Sequence, residues 1–399
     1  MNPILYAKSH GIKGTWDIIY RYKMNQVLRK LAIKITAHKP LQDTIVIESH
    51  NDFDSNGGAF YDYLIDNHYN DKYKIVWLLK NKKPDHFPKN VSAFYLYKPS
   101  LKEQMTICTA KYILTCQDAI GSERDGQISV YLTHGTVGLK AFKGKCTLPS
   151  NLSYILMPSK YLQPILAEQY EINNTNVRYV HVGFPIHDYL YSSKSGALTK
   201  ITTHKYNKVV LWMPTFRKGV AFGREDSTTI APLGIPIFDN INDIQNLNQY
   251  LKRNDVLLVI KIHPMQDLST VKVHNLSNIQ VLDGRSVKKY GVNNAQLMKD
   301  ADALISDYSS AAFDYMHLDR PVGFTMDDAK DYKLGFIVKD PMELIGGQII
   351  NNKEDFLIFI DDVINSRDTY REKRHEVFGK IFQFKDGKSC QRLAEFLKL

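Results

Sequence analysis

Residues 301–324, ADALISDYSSAAFDYMHLDRPVGF, decide the fold class. An apolar run, ADALISD (301–307), breaks off at small polar residues, a helical stretch follows near 309–318, and a second apolar run, PVGF (321–324), closes the unit. Parallel strands need a crossover of a dozen or more residues, usually a helix, so strand, helix and strand in this space predict a parallel sheet. The pattern extends in both directions. Upstream stand KVVLWMP (208–214), a helix near 240–253, VLLVIKIHP (256–264) and IQVLD (279–283). Further upstream a second series runs through TIVIES (44–49), a helix near 57–67, YKIVWLLK (73–80), a helix near 101–110, KYILTC (111–116), ISVYLTH (128–134), YILMPS (154–159) and VRYVHVGFP (177–185). Nearly continuous apolar strands belong to sheets covered on both faces. The polar stretch 191–207 reads as a linker, and the last forty residues read as helices. The expected class is α/β, with two Rossmann-like, doubly wound domains over 38–200 and 201–399.

Composition limits the alternatives. At 399 residues, with 44% apolar and 24% charged side chains, the chain matches a folded protein with sizeable cores, and 22 Gly and 15 Pro are too few for a collagenous or low-complexity chain. Lys and Arg number 52 against 42 Asp and Glu, a net charge of +10 that favours anionic partners: nucleic acid, phosphorylated substrates or acidic membrane surfaces. Cys108, Cys116, Cys146 and Cys390 form no CxxC pair, so neither a disulfide framework nor a zinc site is indicated, and a reducing cytoplasm fits. No run approaches the roughly 20 apolar residues that span a bilayer, and the N-terminus lacks a signal peptide's apolar core.

Residues 1–37 stand apart from the two domains. Over 16–37, Trp16, Ile19, Tyr20, Met24, Val27, Leu28, Leu31 and Ile35 recur at near-helical spacing, with Arg21, Lys23, Arg29, Lys30 and Lys34 mostly between them. This is a basic amphipathic helix, which either lies in an anionic membrane interface or packs on its own domain.

In open parallel sheets ligands bind beyond the carboxyl ends of the strands, where helix N-termini aim their free amides. Four strand endings carry suitable residues: Thr133-His134-Gly135-Thr136, Pro214-Thr215-Phe216-Arg217, His263-Pro264 and Ser306-Asp307-Tyr308-Ser309-Ser310. Their division between the two halves predicts a central cleft with two facing walls. Ser309 or Ser310 falls where a helix N-cap belongs, and there it either caps the helix or helps its first-turn amides bind a phosphate. His134 precedes a glycine that lets backbone approach a ligand closely, and an imidazole suits proton abstraction from a hydroxyl at neutral pH. The alternative is a loop hydrogen bond. His263, two residues after Lys261, can donate to a phosphate oxygen, and Arg217 can pair bidentately with one or stand on the surface. Gly57-Gly58, following Glu48-Ser49-His50, reads as a flexible loop over the acceptor side. Asp327-Asp328 and Asp361-Asp362 read as solvated pairs, and no metal or cofactor is expected. No P-loop, GxGxxG, HExxH or GxSxG stretch occurs, which counts against the enzymes those motifs mark.

In this order, IVIES with FYDYL, YKIVWLLKN, HGTVGLK, MPSKYL, VGFPIHD, VVLWMPTFR, IKIHP, ALISDYSSAAFDYMHLDRPVGF and KDGKSCQR resemble the CDP-glycerol glycerophosphotransferase family, which primes and polymerises teichoic acid and related capsule polymers. The resemblance spans residues 44 to 392. It implies a GT-B-like architecture in which the C-terminal domain holds a CDP-alditol and the N-terminal domain an acceptor. It further implies that glycerol phosphate or ribitol phosphate passes to a hydroxyl of a lipid-linked acceptor at the cytoplasmic face of the membrane, releasing CMP. His134 then acts as general base, with Gly135 and Thr136 on the acceptor side. His263, Thr215, Ser309 and Ser310 contact the pyrophosphate, Arg217 stands nearby, and Asp307 supports the loop. The chain departs from the family at Thr133 and Val137, which flank the HGT, and at Leu334-Gly335, where the family has an Arg-Gly.

Two other readings compete: a GT-B glycosyltransferase using a nucleotide sugar, and a non-catalytic basic protein binding membrane or nucleic acid. Against nucleic acid, the basic residues are spread along the chain and aromatic residues do not interleave with them as stacking platforms would.

Overall fold

The computed structural model describes residues 3–173, 175–193, 195–216, 227 and 231–399, and the side chains of 3–15, 17 and 18 are not among the described parts. Contacts divide the chain into two units. The first comprises Met1–Thr136, Lys143–Asp188 and Asp386–Leu399, and the second Val137–Phe142 and Tyr189–Lys385.

The first unit is built on strands β1 (Gln42–Glu48), β2 (Lys74–Leu79), β3 (Val91–Tyr95), β4 (Ala110–Thr115), β5 (Ile128–Tyr131), β6 (Tyr154–Leu156) and β7 (Arg178–Val180). They form one sheet in the order β3-β2-β1-β4-β5-β6-β7, and every pairing is parallel. Ile45, Val46 and Ile47 of β1 are wholly buried, as a central strand covered on both faces requires. The strand order reverses between β1 and β4, so the loops after these strands part there and leave room for a ligand.

The second unit repeats the plan with β8 (Lys208–Trp212), β9 (Val256–Lys261), β10 (Ile279–Leu282), β11 (Ala303–Ser306), β12 (Val322–Thr325) and β13 (Gln348–Ile350), ordered β10-β9-β8-β11-β12-β13 and again parallel throughout. Its switch point lies between β8 and β11. One face packs Trp212, Phe238 and Phe356 with residues of the helices Ile241–Arg253 and Lys353–Ile364.

The structure departs from the sequence reading in several places. The edge strands β3 and β13 were not expected; β3 is only half-buried, and β13 is three residues long behind Gly346-Gly347. The stretch 191–207 is tied down rather than a free linker, for the Asp300 carboxylate accepts from Gly196 N at 3.1 Å and Leu198 N at 3.0 Å. The units divide at Asp188 and Tyr189 instead of 200 and 201, and the C-terminal segment belongs to the first unit. There the Asp188 carboxylate accepts from Ser389 N at 2.9 Å and Cys390 N at 2.8 Å. Finally, Gly57 and Gly58 are buried in the helix Ser55–Asp66 instead of forming a loop. A Cβ at Gly58 would lie 2.5 Å from the Phe53 backbone, so close packing, not flexibility, requires the glycine.

The helix Pro3–Thr36 packs on the helix Leu101–Thr109. Ala32 is wholly buried, Asn25 Nδ2 donates to Leu96 O at 3.1 Å, and Arg29 reaches Gln104 and Glu123. On the opposite side Trp16, Tyr20, Val27, Leu31 and Ile35 are exposed. Among the described residues no helix is long and apolar enough to cross a membrane.

Asp319, in the quoted stretch, has a structural role. Its Oδ1 accepts from Arg374 Nη2 at 3.0 Å and His375 Nε2 at 2.8 Å, and the wholly buried Arg374 is also held by Asp368 at 2.6 Å. Burial pushes the Asp319 pKa up, but the hydrogen bonds from His375 and Arg374 and the charges of Lys385 and Arg374 outweigh it and hold the carboxyl at about 2. A carboxylate depressed on folding contributes stability above its unfolded value of about 3.9, lost as pH falls through the folded value; here that is ~2 kcal/mol. Asp319→Asn is expected to lower the melting temperature at pH 7 and to flatten the loss of stability between pH 4 and 2, as thermal denaturation across pH will read. An unchanged melting temperature would contradict this role.

Candidate functional site

In the first unit the site gathers at the carboxyl ends of β1, β4 and β5. β5 runs into Leu132-Thr133-His134-Gly135, and Thr133 takes a left-handed φ of 62° that turns the chain there. The loop is clamped from the helix Ser55–Asp66. Asn56, itself wholly buried, donates Nδ2 to Leu132 O at 2.9 Å and Thr133 O at 3.1 Å, while Ser55 Oγ donates to His134 O. Thr133 Oγ1 closes on Gly135 O at 2.6 Å. A Cβ built at Gly135 meets nothing within 4 Å, so the space over this glycine is open.

His134 stands exposed on this clamped loop, its ring 5.5 Å from that of His50. Protein packed around the imidazole, and then the neighbouring charges of His50 and Lys80, hold its pKa below the ordinary histidine value, although Asp54 pulls the other way. The imidazole is therefore neutral at neutral pH, the form a general base needs. Beneath it Glu48, the last residue of β1, is wholly buried. Its Oε2 accepts from Cys116 N and Gln117 N at 2.9 Å and Asp118 N at 3.2 Å, and Lys80 Nζ donates to Oε1 at 2.5 Å. This carboxylate ties β1 to the β4 loop across the switch point.

In the second unit the corresponding knot is Asp307, wholly buried just after β11. Its Oδ2 accepts from Thr215 N at 2.8 Å, and its Oδ1 from Thr215 Oγ1 at 2.5 Å and Ser309 N at 3.2 Å. The loops after β8 and β11 are thereby joined at the switch point. Ser309 caps the helix Ser310–Tyr315, accepting from Ala311 N at 3.4 Å. Residues Val137–Phe142 lie against this helix start: Leu139 N donates to Tyr308 O at 3.0 Å, and Lys140 Nζ donates to Thr215 Oγ1 at 3.0 Å. His263 follows β9, and its Nδ1 accepts from Met265 N at 3.0 Å. The proton of the neutral ring then resides on Nε2, which makes that nitrogen the ring's donor.

Thr215, Asp307 and Ser309 are thus brought into direct contact, with Ser310 beginning the helix they frame. His263 joins them through its ring contact with Phe216, 5.0 Å between centroids. His134, Gly135 and Thr136 belong to the first unit. Arg217 lies outside the described residues. Asp361 and Asp362 both pair with Arg367, at 2.5 and 2.7 Å, whereas Asp328, expected to be solvated, is buried and accepts from Tyr308 OH. Sequence reasoning missed Glu48, Asn56, Lys80 and Lys140, although each lies in or beside a stretch quoted above. Only their polar character within apolar or glycine-rich surroundings marked them.

Comparison with known proteins supplies the rest. A family model described as CDP-Glycerol:Poly(glycerophosphate) glycerophosphotransferase matches residues 31–399. The chain is 28% identical over 243 residues to the teichoic acid ribitol-phosphate polymerase TarK of Staphylococcus aureus, a match covering 59% of this chain and 43% of that one. It is 23% identical over 393 residues to the teichoic acid glycerol-phosphate transferase of the same organism, covering 91% and 94%. Against three ribitol-phosphate enzymes the chain spans 39–59% of their length. Among solved structures, the wall teichoic acid polymerase TagF superposes with a TM-score of 0.70 at 19% identity, covering 100% of this chain and 98% of that one, which shows a shared fold.

Proposed function

Because the chain belongs to the CDP-glycerol:poly(glycerophosphate) glycerophosphotransferase family, we propose that it transfers glycerol phosphate or ribitol phosphate from a CDP-alditol to a hydroxyl of a membrane-linked, teichoic-acid-type acceptor. The acceptor oxygen attacks the phosphorus that bears the alditol, and the bond from that phosphorus to the bridging oxygen breaks. CMP leaves with the bridging oxygen, and the hydroxyl proton passes to His134. Such phosphoryl transfer needs positioning and charge stabilisation more than covalent catalysis. Hydroxyls of Ser309 and Ser310, the first-turn amides and the Nε2–H of His263 meet that need on the donor, with Thr215 holding the loop in place through Asp307.

One observation carries this reading: the buried Asp307 carboxylate holds Thr215 and Ser309 together at the switch point of the second sheet. A carboxylate would repel a pyrophosphate if exposed to it. Here its oxygens are occupied by the Thr215 and Ser309 donors, so it shapes the loop, and the hydroxyls of Ser309 and Ser310 at the helix start are left to serve the anion. The test is CMP release from purified protein offered CDP-glycerol, then CDP-ribitol, each with a lipid-linked disaccharide acceptor analogue. Release with either donor supports the reading and identifies the alditol. Silence with both, alongside turnover of a nucleotide sugar, would replace it by glycosyl transfer.

The exposed side of the N-terminal helix supports a peripheral place on the anionic cytoplasmic leaflet, where a lipid-linked acceptor resides. At 100° per residue, Trp16, Tyr20, Val27, Leu31 and Ile35 form one stripe, Trp16 67% and Val27 59% exposed, beside Lys23, Lys30 and Lys34. Each lysine near such a surface contributes ~1 kcal/mol, so replacing all three by glutamine is expected to weaken binding to anionic vesicles by roughly 100-fold. Vesicle co-sedimentation will read this, and undiminished binding would place the contact elsewhere.

A further inference from the structure

Lys261 ends β9, two residues before His263, and its side chain is only 7% exposed. Among the described residues its side chain has no hydrogen bond, ion pair or ring contact, and burial lowers its pKa. Lysine is among the residues least often buried without a partner, because an ammonium removed from water loses its hydration and receives nothing in exchange. An apolar residue of similar length would stabilise this position better. A lysine here calls for something besides the fold to keep it.

The register of the sheet says where it stands. Trp212 of β8 pairs with Ile260 of β9 and with Ile305 of β11, and all three belong to the Trp212 core on one face. The next residues in each strand, Met213, Lys261 and Ser306, therefore fall side by side at the carboxyl edge and turn to the opposite face. The right-handed crossover from β11 to β12 places the helix Ser310–Tyr315 on that opposite face. Lys261 thus stands at the carboxyl edge of β9, one strand away from the switch point between β8 and β11, on the face that carries the Ser309-capped helix and two residues before His263.

We infer that Lys261 is a phosphate-binding residue of the donor site, its ammonium taking up an oxygen of the pyrophosphate of a nucleoside-diphosphate donor. The inference rests on the proposed function, since it assigns a residue to that reaction's donor. The lysine is kept at a cost to the free protein because the ligand supplies the missing partner. It acts by contact with substrate, and its contribution falls on phosphate-bearing ligands only.

The test is Lys261→Met, with Lys261→Gln as a second variant, measured by thermal denaturation of the free protein and by calorimetric titration with CDP-glycerol, CDP and cytidine. The expected result is opposed: Lys261→Met melts at an equal or higher temperature than wild type, yet binds CDP-glycerol and CDP at least tenfold more weakly, with cytidine affinity unchanged. Lys261→Gln shows the same loss of CDP affinity. Wild-type affinity for CDP in both variants would overturn the inference alone, and so would an equal fall in cytidine affinity, which would mark a general loss of the pocket. Failure of the wild-type protein to bind CDP-glycerol or CDP at all would overturn the donor reading itself, and the inference with it.

Discussion

His134→Ala is expected to cut alditol-phosphate transfer by roughly 10²–10⁴-fold, the usual contribution of a positioned general base, while CDP-alditol affinity stays near the wild-type value. The separation follows from where the residue sits. His134 is on the β5 loop of the first unit, held by its own carbonyl and by the Asn56 clamp on the loop, while the groups proposed to bind the donor belong to the second unit. Removing the imidazole leaves the clamp intact. The lowered pKa adds a second readout: the base works only when unprotonated, so wild-type activity persists as pH falls and is lost with a midpoint below the ordinary histidine value of about 6.5. A steady-state pH profile beside the variant's turnover checks both, and wild-type turnover by His134→Ala would remove the base assignment.

The second large effect is expected at His263. Its Nδ1 is engaged by Met265 N, so the neutral ring presents a single N–H donor at Nε2. Preorganised donors at a phosphoryl group act where charge builds in the transition state, and deleting one costs on the order of 10²–10³ in turnover. His263→Ala should therefore lower kcat/KM for the CDP-alditol by about that factor. Its half-buried ring contacts the buried Phe216, so thermal denaturation of the variant beside the kinetics separates lost donor binding from lost packing. Steady-state kinetics with the donor varied will show it, and an unchanged kcat/KM would mean that the pyrophosphate lies elsewhere in the second unit.

The parts of this architecture that could be read in the sequence share a physical cause. Strands such as β1, β4, β9 and β11 are buried on both faces, so they appear as continuous apolar runs, and their alternation with helices leaves little besides a parallel sheet. Thr215, Asp307 and Ser309 were legible because they interrupt such runs at their carboxyl ends. The clamps were not. Asn56 serves carbonyls 76 and 77 residues away, and Glu48 serves amides 68 to 70 residues away, partners that no local pattern announces. Gly57-Gly58 misleads because a glycine pair signals equally a loose loop or a tight approach, and only the neighbouring Phe53 backbone decides for the second. The return of the C-terminal helix Ser389–Leu397 to the first unit rests on Asp188, whose two acceptor oxygens look like any surface carboxylate in sequence.

The most direct test of the central claim is phosphorus NMR of the product formed when purified protein is given a CDP-alditol and a lipid-linked acceptor analogue. The account predicts a phosphodiester resonance on the acceptor that grows in step with CMP, carries the alditol, and is absent with His134→Ala. CMP appearing without an acceptor phosphodiester, or a glycosidic product without phosphorus, would contradict it.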